Sequence, residues 1–310
     1  MFRQATIRNV RGGISVAPPR KNIVVCTASR SERSLIMPVF TRLRNSPLFN
    51  TLLHTIPTDF SRAEGSVTRL LREFPLIDLA FCPFDRLEML GAALAFWRNR
   101  IPVAQIHAGD YSTAGCFDDM ARHMITLASD LQLCVGEKSY QRAKAMMELV
   151  GKPTDRCFQI RSIHMDDAEL NLSHVPREPF DLVVYNPPTK RLDLILDELT
   201  TIDGLLGERL AVWVEPNEDE GRTLVLEEMH RIAKSKRLWI QKSVPRPQFL
   251  GLLSKCTRAL GNSSAFFFEL THFGKTHIHV GVRNSGRQSA DSTSGGSDQI
   301  LSIVEDLYGV

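Results

Sequence analysis

Two groups of residues in this 310-residue chain have the types and spacing for chemistry. The first is Gly261-Asn262-Ser263-Ser264, a small-residue turn that follows an apolar stretch and precedes a segment of helical character. Such a turn binds phosphate, because the first N–H groups of a helix lack partners and its dipole favours an anion. Glu269, about one and a half turns further on, is placed to accept hydrogen bonds from a sugar hydroxyl. Asn-Ser-Ser also caps ordinary helices, so the turn alone reads equally as a cap. The second group is His107-Ala-Gly-Asp110 with Asp118-Asp119-Met-Ala-Arg122-His123, which puts three carboxylates, two histidines and an arginine within 17 residues. On a helix, Asp118 shares a face with Arg122, and Asp119 with His123. That density suits proton transfers on a sugar ring. The plain alternative is an acidic first turn with ordinary ion pairs. No spacing here demands a metal, and neither a metal nor a cofactor is expected.

Further candidates sit where apolar runs end. Arg30 follows the first run, where a guanidinium grips a phosphate or sugar oxygen or lies solvated in a loop. Asp85 follows the second and is a base, a sugar ligand or a helix cap. Asn186, Asn217 and the pair Arg283 and Arg287 close three later runs, each also explicable as a turn.

The elements that must hold these groups alternate in type. Strands are expected at residues 21–27, 77–82, 103–107 and 131–136, with helices at 34–44, 87–98, 118–129 and 138–149. After a polar, proline-containing break at 173–179 the pattern restarts. Strands are expected at 181–185, 210–214, 238–241, 257–260 and 278–280, with helices at 192–206, 223–234, 247–256 and 265–273. Alternation of this kind implies parallel sheets covered on both faces. The expected fold is therefore α/β, with two Rossmann-like doubly wound domains facing a cleft. Residues 1–20 read as a basic, flexible arm, 21–172 as the first domain and 173–288 as the second, nucleotide-binding domain. Residues 289–310 read as a flexible linker and terminal helix. Ligands of such sheets bind at the carboxyl ends of the strands.

Bulk properties narrow the partners. A net charge of +3 argues against a nucleic-acid binder driven by charge. No apolar run approaches the roughly 20 residues that span a bilayer. The first 20 residues hold four arginines and no acid, without the apolar core of a signal peptide. Six scattered cysteines, none in Cys-x-x-Cys, read as core residues of a reducing compartment, and a cytoplasmic location is expected.

Taken in order, these motifs resemble the UDP-N-acetylglucosamine 2-epimerase family, particularly its hydrolysing branch, from about residue 22 to 288. The family's Gly-Thr-Arg-Ala-Glu loop is similar to Ala28-Ser29-Arg30-Ser31-Glu32, and its Gly-Asp-Arg turn to Phe84-Asp85-Arg86. His-Gly-Gly-Glu is similar to His107-Ala108-Gly109-Asp110. The longest match is Phe117-Asp118-Asp119-Met120-Ala121-Arg122-His123-Met124-Ile125-Thr126. Pro216-Asn217, the Gly261–Ser264 turn with Glu269, and Arg283 with Gly286-Arg287 follow in step.

The resemblance implies a GT-B arrangement with a UDP-sugar in the cleft. It implies Ser263 and Ser264 on the diphosphate, Glu269 on the ribose and Arg30 near the phosphates or sugar. Asp85, Asp110, Asp118, Arg122 and His123 would surround the sugar as catalytic groups. His107, Asp119, Asn186, Asn217, Asn262, Arg283 and Arg287 complete the expected binding set. The implied chemistry is anti elimination of UDP and hydration of the resulting glycal with inversion at C2. Family members often self-associate, so a homo-oligomer is among the expected partners. This chain departs from the pattern at Phe84 and Arg161, where the family has glycine, at Asn186, where it has histidine, and at Asp110, where it has glutamate. Phe266 stands where a small polar residue is usual and is expected to crowd a ligand. Two other readings use the same residues: a GT-B glycosyltransferase and a non-catalytic nucleotide-sugar binder.

Overall fold

The computed structural model describes residues 7–8, 14–15, 19–112, 117–242, 244–290 and 294–309, with the backbone alone at 7–8, 14–15 and Arg30. The expected basic arm, 1–20, thus lies largely outside the described residues; within it β1 (Ile7–Arg8) and β2 (Ile14–Ser15) pair antiparallel.

The first domain is a six-stranded parallel sheet in the order β4-β3-β5-β6-β7-β8. Its strands are β3 (Lys21–Thr27), β4 (Phe49–Thr55), β5 (Leu79–Phe81), β6 (Val103–Ile106), β7 (Leu131–Val135) and β8 (Cys157–Ile160). The middle strands are mostly apolar because both faces are covered, with Gln105 of β6 and Gln132 of β7 as buried polar exceptions. Their helices are α1 (Arg30–Asn45), α2 (Phe60–Glu73), α3 (Leu87–Arg98), α4 (Asp118–Ala128) and α5 (Glu137–Leu149). On one face Ile36, Val39 and Leu43 of α1 join the core; on the other Val67 of α2, Met89 and Phe96 of α3 and Ile125 of α4 do so. A capping box starts α1: Glu32 N donates to Ser29 Oγ (3.2 Å), and Ser29 N donates to Glu32 Oε2 (3.0 Å).

The second domain is a five-stranded parallel sheet in the order β11-β10-β9-β12-β13. Its strands are β9 (Phe180–Val184), β10 (Leu210–Val214), β11 (Leu238–Gln241), β12 (Arg258–Gly261) and β13 (His277–His279). The helices between them are α6 (Ile195–Leu205), α7 (Arg222–Ile232), α8 (Arg246–Lys255) and the single turn α9 (Ala265–Phe268). The helix expected over 265–273 is broken: after α9 the chain tightens into a 3-10 turn, Leu270–Phe273. Phe266 is completely buried against His277, so it faces the core and not the small-residue turn where crowding was expected.

In both sheets the first strand has neighbours on either side, which makes a topological switch point beside β3 and beside β9. The terminal helix expected within 289–310 is α10 (Gly296–Tyr308), and it leaves the second domain. It lies on α1, with Ile300 and Val304 in the first domain's core. Asp166 holds its beginning by accepting from the amides of Gly295 and Ser297, the latter at 2.7 Å. One apolar cluster runs from Ile23 and Val25 through Phe84, Ile163 and Met165 to Phe268 and Leu182, so the two domains share a continuous core.

Candidate active site

Each first-domain candidate is delivered by the carboxyl end of a strand or by the helix that follows it. Asp85 follows β5, His107 and Asp110 follow β6, and α4 carries Asp118, Asp119 and Arg122 on its first turns. Arg122 is fully buried and organises the group. One Nη donates to Asp85, while Nη1 donates to Asp119 Oδ1 (2.5 Å) and to the Asp110 carbonyl (3.2 Å). Asp119 also accepts from the amide and hydroxyl of Ser112 (2.8 and 2.7 Å). Its carboxylate is therefore spent inside the protein.

The chain pays no glycine at two tight places here. Phe84 and His107 have φ values of 68° and 67°, a left-handed backbone that glycine adopts most easily. At Phe84 the resemblance puts a glycine, and the conformation gives the reason. The ring of Phe84 packs on His107 (5.6 Å between centroids) and compensates part of the strain.

The second domain closes over this group. Arg287 donates to the Asp110 carboxylate, and Arg283 lies 3.9 Å from that of Asp118. Arg283 also holds Asp219 and the Pro187 carbonyl, both at 2.8 Å. These bridges join the carboxyl ends of the two sheets and define the cleft. At the second switch point, Asn262 Oδ1 accepts from Asn186 N (2.8 Å) and its Nδ2 donates to the Asn186 carbonyl (2.9 Å). Asn186 Oδ1 in turn accepts from Asn217 N (2.9 Å). These three asparagines knit the loops after β9, β10 and β12 together, so the side chains of Asn262 and Asn186 have work within the protein. Gly261 makes the crossing feasible: φ is 125°, and a Cβ there would sit 2.2 Å from the Val184 carbonyl oxygen.

Ser263 is buried and Ser264 exposed at the turn. Glu269 is buried; its Oε1 accepts from Arg246 Nη1 (2.9 Å), while Oε2 has no hydrogen-bond partner among the described residues. The backbone of Arg30 opens α1 at the first switch point, and its side chain lies outside the described residues.

Electrostatics separates the carboxylates. Burial works against ionisation of Asp110, but the charges of Arg287 and Arg122 and the His107 hydrogen bond hold it well below the usual range. Burial also opposes ionisation of Asp85, where Arg122 and Arg287 prevail and keep it low. Asp118 goes the other way: desolvation, reinforced by the Asp85 charge, pushes its carboxyl up to about 6 against the pull of Arg283. Its side chain remains 43% exposed, so the push comes from the cleft wall on one side. Burial raises Glu269 despite Arg246, and lowers His123 together with Arg122. The outcome is one carboxylate of elevated basicity facing the cleft, beside two that are held ionised at neutral pH.

Two contributors escaped the sequence reading. His164 is buried, stacked on Phe268 (4.4 Å) and edge-on to His107 (5.0 Å). Burial and the neighbouring His107 hold its imidazole well below the usual value. Arg246 ties Glu269 to the His164 carbonyl across the domain junction. The signal for it was Pro245-Arg246-Pro247, an arginine fixed between two prolines.

With this geometry in place, comparison with known proteins gives a consistent answer. The family described as UDP-N-acetylglucosamine 2-epimerase matches residues 66–308. The chain is similar to the UDP-N,N'-diacetylbacillosamine 2-epimerase (hydrolyzing) of Legionella pneumophila, 31% identical over 217 residues. That match takes in 67% of this chain and 57% of the relative, so less than two thirds of the relative's length is spanned. The fold is similar to a crystal structure of a putative UDP-N-acetylglucosamine 2-epimerase from Listeria monocytogenes, with a TM-score of 0.77 at 11% identity, covering 94% of this chain and 97% of that one. It is also similar to the UDP-GlcNAc 2-epimerase of Neisseria meningitidis bound to UDP-GlcNAc, with a TM-score of 0.69 at 13% identity and 93% of each chain covered.

Proposed function

The chain belongs to the UDP-N-acetylglucosamine 2-epimerase family, and on that premise we propose that it is a hydrolysing epimerase acting on a UDP-linked 2-acetamido sugar. The observation that carries the reading is Asp118, a cleft-facing carboxyl pushed up to about 6 next to the ionised Asp85 and Asp110. A base must take the weakly acidic C2 proton of the sugar, and a carboxylate of raised pKa does so better than an ordinary one.

In the proposed reaction the Asp118 carboxylate takes the C2 proton while the bond from C1 to the diphosphate oxygen breaks. UDP leaves with that electron pair and a 2-acetamidoglycal remains. Water then adds its hydroxyl to C1, and a proton returns to C2 on the opposite face. The sum is UDP-sugar plus water giving UDP and the free C2-inverted sugar. The turn Gly261–Ser264 would receive the diphosphate, and the unpartnered Oε2 of Glu269 would take the ribose hydroxyls. Arg283 and Arg287, already on the rim with two carboxylates, supply positive charge for the departing anion. The word "hydrolyzing" in the name of the Legionella relative supports the water step.

The test is proton NMR in heavy water with UDP-N-acetylglucosamine and, separately, with a UDP-2,4-diacetamido sugar. Release of UDP with a free sugar deuterated at C2 is the expected result. A C2-deuterated sugar still attached to UDP would place the chain with non-hydrolysing epimerases. Binding of both nucleotides without turnover of either would refute the assignment of Asp118 as a base.

A further inference from the structure

The loop that brings Arg283 to the rim is held from behind by a carboxylate that the proposed reaction does not use. Glu198, on the first turn of α6, is buried, and glutamate is seldom buried unless it is paired. Its Oε1 accepts from the amide of Val282 (2.9 Å), the residue before Arg283. Its Oε2 accepts from the hydroxyl of Tyr185 (2.6 Å), just past β9. Burial and the Glu198 carboxylate push the Tyr185 phenol up, so it stays protonated and keeps donating. The loop backbone lies so close to this carboxylate that glycine is required at 281. Its φ is 96°, and a Cβ there would meet Glu198 Oε2 at 2.3 Å. His279 adds a second tie, with Nε2 donating to the Gly281 carbonyl (2.9 Å).

What this hold places is a guanidinium. Arg283 donates to Asp219 and the Pro187 carbonyl in its own domain, and it lies 3.9 Å from Asp118 across the cleft. Asp118 is also faced by Arg122 of its own helix, by Asp85 and Arg86 past β5, and by Asp219 of the second domain. Lys190 lies over the ring of the neighbouring Phe117 (5.5 Å to its centroid). Among these groups Arg283 is the cation that pulls hardest on Asp118. From this geometry we propose that Glu198 is a positioning residue of the epimerase reaction, holding Arg283 opposite Asp118. The proposal rests on the reading of Asp118 as the base. Its sign separates it from a plain effect of charge. Deleting a nearby negative charge lowers the pKa of a carboxyl, whereas letting Arg283 drift away raises that of Asp118.

Carboxyl-carbon NMR of protein labelled at its aspartates, with Asp118→Asn identifying the signal, reads this titration without turnover. In Glu198→Ala the Asp118 midpoint is expected to rise from about 6 to about 7, a small response because the side chain is half-exposed. Glu198→Gln keeps an oxygen for the Val282 amide, so its midpoint should stay at the wild-type value or fall below it. With a UDP-sugar turned over, kcat of Glu198→Ala should drop by as much as about 100-fold with KM changed less, and Glu198→Gln should recover most of the loss. An unmoved or lowered midpoint in Glu198→Ala, or an equal rise in Glu198→Gln, would overturn the proposal. A wild-type midpoint near the ordinary value, about 4, would instead remove Asp118 as the base, while the hold on Arg283 is still read from the difference between variant and wild type. Should Glu198→Ala fail to fold, Gly281→Ala pushes the same backbone off Glu198 and is expected to raise the midpoint too; no rise there refutes the hold.

Discussion

Replacing Arg122 by methionine is the sharpest probe of the carboxylate cluster, because one guanidinium serves three acidic residues. It is fully buried, and it bonds Asp85, Asp119 Oδ1 (2.5 Å) and the Asp110 carbonyl (3.2 Å). Methionine fills most of the volume and removes the charge. Asp119 keeps its two bonds from Ser112 but loses its counter-charge at a side chain only 9% exposed. Asp85 is 27% exposed and recovers some solvation. Removing one partner of a buried ion pair costs about 3–5 kcal/mol, and the partly solvated Asp85 places Arg122→Met toward the lower end. At about 2–4 °C per kcal/mol for a domain of this size, the melting temperature should fall by on the order of 10 °C. The effect has a pH signature. Asp85 is depressed in the folded state, so it contributes stability above its unfolded value, near 4, and loses it as pH falls through the lower folded value. The gap between wild type and variant should therefore be widest near neutrality and shrink in acid. Thermal and urea unfolding at several pH values measure it. A loss under about 1 kcal/mol at neutral pH, or a gap that widens in acid, would show that Arg122 does not carry the cluster.

Asp118→Asn should abolish turnover and leave UDP affinity nearly unchanged by calorimetry, since the carboxylate is assigned to proton abstraction alone. The acid limb of the wild-type rate should rise through about pH 6 as Asp118 ionises, and a limb near 4 would contradict the raised carboxyl. Ser264→Ala and Glu269→Ala should each weaken UDP binding by about 0.5–3 kcal/mol; full-strength binding by the Glu269 variant would remove it from the ribose. Gly261→Ala should cost at least about 2 kcal/mol of stability by denaturant unfolding, because a Cβ there would meet the Val184 carbonyl at 2.2 Å.

The double alternation of strand and helix was readable because buried parallel strands are largely apolar runs, as in residues 23–26 of β3 and in β5. Three elements escaped the pattern. In β4, Phe49–Thr55, polar Asn50, Thr51 and His54 interrupt the run because it is an edge strand with half-buried residues. Helix α2 hides behind Gly65 and several hydroxyl residues, although its spacing buries Ala63, Val67 and Leu70. The edge strand β8 has only four residues, too few for a periodic signal. At the site, the spacing on α4 announced which side chains share a helix. It could not announce that Arg122 faces inward and Asp118 faces the cleft, because that depends on where Asp85 and Ser112 arrive from other loops. The roles of His164 and Arg246 were hidden for the same reason: they arise from domain contact, and the Pro245-Arg246-Pro247 signal does not say what the arginine reaches.

The placement of α10 has a bearing on how the chain is made. Its residues lie more than 130 positions after β8, yet they seal the first sheet by packing on α1 and by ion pairs from Arg42 to Asp298 (2.5 Å). As the chain emerges from the ribosome, the first domain must wait, with the side of α1 that α10 covers still open, until the whole second domain has been synthesised. A nascent chain halted after β8 would therefore be a better client for a chaperone than one carried through to residue 309.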